Sequence, residues 1–152
     1  MRVRLPGILA AVFVIGATVP TFAHHSFSVE FDANNCMDVK GTLTGVIWEN
    51  PHAWIDVNTK DANGTEVTWH LEMVTPNALK RNGTFREDFE NNMGKAINVR
   101  ACRSRNLKET RGAAQYLQLP DGEIRSVGQN VERRPRSEEH TSELQSRFGI
   151  SY

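Results

Sequence analysis

Three histidines stand where an imidazole has work to do: the pair His24 and His25, and His52 in the turn after Asn50-Pro51. With the chain cut after Ala23, His24 offers its free amine and its ring nitrogen together as a chelate. Nitrogen donors suit copper, which sits highest in the divalent affinity series. A further imidazole from His52, on a loop where ligands are commonly placed, or from His25 would complete a three-nitrogen site. The alternative is a solvated double histidine, with His52 hydrogen-bonding inside its own turn. His70 alternates with Trp69 and Leu71, so it is expected on an outer strand face as an exposed residue rather than a ligand.

Other residues offer other chemistry. Cys36 and Cys102 are the only cysteines. Arg100, Arg103, Arg105, Lys108 and Arg111 form a cationic stretch able to meet an anion, although Glu109 and a near-neutral domain favour a solvated loop. Of the three tryptophans, strand alternation sends Trp69 inward and leaves Trp48 and Trp54 as possible exposed stackers for a ligand. No Gly-x-Ser-x-Gly, Walker loop, dinucleotide-binding glycine pattern, Cys-x-x-Cys or His-Glu-x-x-His occurs, so the usual catalytic signatures are missing.

The elements that must hold these groups begin after a secretion signal. Arg2 and Arg4 precede an apolar run from Ile8 to Val19, and Thr21-Phe22-Ala23 puts small residues where a signal peptidase reads them. Residues 1–23 are therefore expected to be removed, with a periplasmic or secreted location and no membrane attachment afterwards as the expectation; a permanent anchor is the weaker alternative, because the run is short for a span and Pro20 closes it. At the other end, Arg136 to Ser146 reads residue for residue as the in-frame translation of a sequencing-library adapter, and residues 136–152 are expected to be foreign to the gene. The competing reading is a charged C-terminal helix.

Residues 24–135 remain as one small domain with 14 basic and 15 acidic side chains. That balance, with only 8% aromatic residues in the 152-residue chain, excludes the basic and aromatic-rich groove of a nucleic-acid binder. From Val39 to Ile47 apolar or small residues recur at every second place, with Gly41 and Gly45 suiting a strongly bent strand. Ala53, Ile55 and Val57 alternate in a second strand, and a turn at Asp61-Ala62-Asn63-Gly64 leads to Val67, Trp69, Leu71 and Met73 in a third. Thr75-Pro76 opens a short helix ended by Asn82-Gly83, and Thr84 with Glu87 makes a capping box for another turn through Phe89. Ile97, Val99 and Ala101 resume the strand period, Arg103 to Gly112 reads as a loop, and a last hairpin turns at Pro120-Asp121-Gly122.

Three strands, a helix and further strands make a mainly β Greek-key barrel, closed or partly open and OB-like. In such a barrel the first strand lies antiparallel to the fourth, which brings Cys36 to Cys102 and makes a disulfide geometrically plausible, two separate thiols being the alternative. A 112-residue domain gains from such a staple.

A family likeness rides on short motifs in a fixed order: His24-His25-Ser26-Phe27, Glu30-Phe31-Asp32, Gly41-Thr42-Leu43-Thr44-Gly45, Trp48-Glu49-Asn50-Pro51-His52, Pro76-Asn77-Ala78-Leu79 and Leu119-Pro120-Asp121-Gly122. The chain resembles a family of small exported bacterial proteins, domain of unknown function 6152. It departs from the family pattern at Thr84-Phe85, where a tryptophan is expected after Gly83, and at Gly94-Lys95, where Gly-Asp is expected. The resemblance implies export and a β-rich fold and implies no activity; the cysteines are not part of its pattern. The sequence thus reads as an exported binding or accessory module rather than an enzyme, its partner a small ligand, a metal or a periplasmic protein. The alternative is a copper protein using the processed terminus.

Overall fold

A computed structural model describes residues 27–129; the proposed signal, His24, His25 and the adapter-like segment lie outside that range. A one-turn helix, α1 (Phe27–Glu30), leads into β1 (Phe31–Ile47), followed by β2 (Trp54–Lys60), β3 (Glu66–Glu72), α2 (Pro76–Arg81), α3 (Arg86–Glu90), β4 (Ala96–Ser104), β5 (Arg111–Gln118) and β6 (Ile124–Ser126). The sheet runs β3-β2-β1-β4-β5-β6, and β3 also pairs with β5 in parallel, closing a five-stranded ring. All other pairings are antiparallel. This is the partly closed OB-like barrel that the order of the elements implies, with two short helices between β3 and β4 rather than one.

Closure depends on β1, whose 17 residues serve two neighbours. Its first part pairs with β4 (Val39 opposite Val99) and its last part with β2 (Val46 opposite Ile55). The register slips between Leu43 and Gly45, leaving Thr44 as an extra residue. Such a bulge moves every later side chain to the other face. Strict alternation would send Ile47 inward; instead Val46 packs on the core and Ile47 is exposed. The interior is filled by Leu43, Ile55, Val57, Leu71, Val99 and Leu117, none with any exposure, and Leu79 and Phe89 from the helices, also fully buried, belong to the same core. Each such side chain contributes about 1.5–3 kcal/mol relative to exposure.

The turns mostly follow the chemistry of their residues. Asp61 Oδ1 accepts from the N–H groups of Asn63 and Thr65, and Gly64 takes a positive φ of 80°. Thr75 Oγ1 accepts from the Ala78 N–H at 3.2 Å, with Pro76 in the first helical turn. The second cap falls one residue later than Thr84. Thr84 is consumed in ending α2, its N–H donating to Leu79 O, and is fully buried. Phe85 caps α3 instead, its N–H donating to Asp88 Oδ2 at 2.7 Å. The basic stretch is also shorter as a loop than its composition implies, because β4 runs to Ser104 and β5 starts at Arg111. Cross-strand pairing continues through Arg103 opposite Gly112, and polarity alone does not report a ladder. Cys36 and Cys102 sit directly opposite each other on β1 and β4 and are joined by a disulfide.

Candidate functional site

Where β3 meets β5, four charged or titratable side chains meet on the outside of the ring. His52 follows a cis Asn50–Pro51 peptide. The next residue, Ala53, is tied to the end of β3: its N–H donates to Val74 O, and its carbonyl accepts from the Met73 N–H at 2.8 Å. That clamp sets the His52 ring beside Glu72, with Nδ1 2.5 Å from Oε1. The other Glu72 oxygen lies 3.4 Å from Nη2 of Arg111, and the same nitrogen is 2.9 Å from Glu30 Oε2. Arg111 reaches both because β5 opens there in parallel with His70 of β3.

The Arg111 guanidinium also stacks on two rings, 5.1 Å from the centroid of Trp54 and 5.4 Å from that of Phe31. Cation–π contacts and charge-assisted bonds reinforce each other when partly desolvated, as here. The α1 segment is fixed alongside by Arg105, whose N–H donates to Glu30 O at 2.9 Å and whose Nε donates to Ser28 O at 2.8 Å. Burial pushes the Glu72 carboxyl above the ordinary carboxylate value; His52 and then Arg111 draw it back, and Glu30 pushes it further up.

Beside this cluster lies a cleft of about 30 Å³ lined by Phe27, His52, Glu72, Ala114 and Gln115 among others. It has room for a water molecule or an ion and little else. A carboxylate placed on Nδ1, as Glu72 is here, is the arrangement by which metal-binding imidazoles are commonly oriented. Among the described residues no group of three or more His, Cys, Asp and Glu is assembled to hold a metal.

The other residues singled out in the sequence fall elsewhere. Trp48 and Trp54 are not alike: Trp48 is half-buried against the core with its ring 5.7 Å from Phe89, whereas Trp54 lies on the outer face beside Arg111. Trp69 packs against the core with Arg103 over its ring at 5.3 Å. His70 is exposed on the outer face, its Nδ1 against Asp56 Oδ1 and its ring edge-on to Trp54. The cationic stretch is dispersed, with Arg100 near Asp38 at 3.4 Å and Arg111 in the cluster. Sequence reasoning placed Arg111 in a solvated loop and passed over Glu30 and Glu72. A signal for Glu72 was present, since the turn at Asp61–Gly64 fixes the hairpin register that sets Trp54 opposite Glu72.

Residues 11–113 match the family described as Family of unknown function (DUF6152), and the chain belongs to that family. No curated protein and no solved structure matches it.

Proposed function

We propose that this member of the DUF6152 family is an exported metal-binding module that holds one Cu(II) through the amine and ring of a processed His24 together with His52 or His25. The observation that carries the reading is the cleft at His52. Its volume of about 30 Å³ is a tenth or less of the roughly 300–1,000 Å³ typical of pockets for organic ligands, so a single ion fits it, as a water molecule does, and an organic ligand does not. Phe27 lines the same cleft, and His24 precedes it by three residues. Three residues span at most about 11 Å, so the amine of a chain starting at His24 is within reach of His52. Export is supported by the signal-like first 23 residues and by a disulfide of the kind that persists in oxidising compartments.

The donor chemistry agrees. An α-amine of pKa about 8 and an imidazole of about 6.5 both give up their protons to a metal near neutral pH. Copper titration by calorimetry, with electron spin resonance to identify nitrogen donors, tests the reading on five proteins: the chain starting at His24, the same chain behind an N-terminal tag, and the variants His24→Ala, His52→Ala and His70→Ala. One Cu(II) should bind the authentic chain, and binding should fall greatly with the tag or in His24→Ala. It should fall measurably in His52→Ala and hardly change in His70→Ala. Equal binding by tagged and authentic termini would remove the proposed site.

A further inference from the structure

We propose that the fold presents Asn63, at the tip of the β2–β3 hairpin, as an acceptor for N-linked glycosylation and withholds Asn82. The inference goes beyond the copper reading and shares with it only export, because the lipid-linked sugar donors of this reaction serve proteins that cross a membrane. The triplet Asn-x-Thr, with x other than proline, stands at Asn63-Gly64-Thr65 and again at Asn82-Gly83-Thr84. Such a short motif arises often by chance, so access must choose between the two. Residues 61–66 are all exposed. The bonds that shape the tip run within residues 61–65: Asp61 Oδ1 accepts from the N–H groups of Asn63 and Thr65, the Gly64 N–H donates to Asp61 O, and the Asp61 N–H donates to Thr65 O. The ladder itself starts at Lys60 opposite Glu66, so the tip can enter a transferase cleft without breaking a strand pair. It lies six residues along β2 from Trp54, roughly 20 Å at strand spacing, so a glycan there leaves the His52 cleft open.

The second triplet is built into the fold. Asn82 Nδ2, the atom that must attack the sugar, donates to Ser126 O at 2.9 Å, and the Asn82 N–H ends α2 on Ala78 O and Leu79 O. Thr84, whose hydroxyl a transferase must grip, is fully buried. Asp61 separates the two further, since one class of transferase demands a carboxylate two places before the acceptor and Lys80 holds that place before Asn82. The co-reactant is an oligosaccharide carried on a polyprenyl diphosphate. The Asn63 amide nitrogen gives a proton to a base on the transferase and bonds to the anomeric carbon, while the bond from that carbon to the diphosphate oxygen breaks and the lipid diphosphate leaves with the electron pair.

The test uses the purified, oxidised chain lacking residues 1–23, a glycan on polyprenyl diphosphate, and a transferase that reads Asn-x-Thr whatever stands two places earlier, so that access alone decides. Peptide mass spectrometry reads each asparagine, and free peptides spanning residues 58–68 and 78–88 report the two triplets without the fold. The peptides should be glycosylated at rates within about threefold of each other, whereas in the folded chain Asn63 should outpace Asn82 at least tenfold. Thr65→Ser should keep the Asn63 product, and Asn63→Gln and Thr65→Ala should lose it. The proposal is overturned if Asn63 goes unmodified in the folded chain or in its peptide, or if Asn82 keeps pace with it in the folded chain. It is overturned as well if the peptides differ as much as the folded sites do, because the fold would then select nothing. No metal enters the experiment, so failure of the copper reading leaves this result standing, and the reverse holds too.

Discussion

Replacing Gly41 with alanine probes the bend that closes the barrel. Gly41 lies in β1 just before Thr42, the residue at which the strand is paired with both β4 and β2. A Cβ there would come 2.2 Å from the backbone oxygen of Asn58 and 2.8 Å from Thr59 Cγ2. A carbon–oxygen contact needs about 1 Å more, and the atom in the way is backbone, so β1 and β2 must separate beside their own ladder. Overpacking of this kind costs about 1–3 kcal/mol, and a weakened ladder bond adds about 1. The smaller conformational freedom of unfolded alanine returns about 0.4–1 kcal/mol. The net expectation is a loss of roughly 2–3 kcal/mol. Gly45→Ala is the internal control: its Cβ would meet the side chain of Asp56, at 2.7 Å from Oδ2, the end of a side chain rather than backbone. That change should cost about 1 kcal/mol or less. Urea unfolding followed by circular dichroism reads both as midpoint shifts at constant slope, on the order of 1–2 M for Gly41→Ala. If Gly41→Ala is within 0.5 kcal/mol of Gly45→Ala, backbone approach at this position is not what shapes the strand.

Replacing both Cys36 and Cys102 by alanine should lower stability by about 4 kcal/mol in the chain-entropy model, since the bond closes a loop with a sequence separation of 66; denaturant unfolding of the double variant against the oxidised parent measures it. Glu72 predicts a pH effect. Its carboxyl is raised in the folded state by burial, so the folded protein holds that proton to higher pH than the unfolded chain does, and stability should fall as pH rises from the ordinary carboxylate value through the raised one. Glu72→Gln should flatten this part of the stability profile, as followed by thermal unfolding over a pH series, and an unchanged slope would count against a buried acid there.

Barrel topology was legible because it rests on long-range order in the sequence: three alternating runs, a capped helix, then further alternation. That order also made a bond between Cys36 and Cys102 plausible, since β1 lies against β4 in such a barrel; the register that sets the two opposite each other is seen only in the structure. Local exceptions were not legible. Nothing in Gly41-Thr42-Leu43-Thr44-Gly45 marks Thr44 as the extra residue, because a bulge is decided by the partner strand and by what the bend must accommodate. The candidate site was legible in part. His52 could be singled out by its turn, but its partner Glu72 looked like any outward strand residue, and Arg111 was hidden among other cations. Their meeting depends on the parallel contact of β3 with β5, and hydrophobic alternation carries no record of which strands close a ring.

The double duty of β1 also sets a timetable. A chain made from its N-terminus produces β1 first, yet the partner of its opening half, β4, follows only after two more strands and two helices. Until then β1, β2 and β3 can form only an open meander, with a long unsatisfied edge and one face of its core uncovered. The seam between β3 and β5 waits longer still, for residues beyond Arg111. Folding is therefore gated by distant contacts, which makes it slow relative to a helical domain of the same size and exposes an aggregation-prone edge in the interval. Cys36 spends that interval without its partner thiol, and a single cysteine on an unpaired strand can form a mixed disulfide by exchange with any disulfide it meets, releasing the second sulfur of that disulfide as a thiol. The final bond therefore records that β4 has arrived.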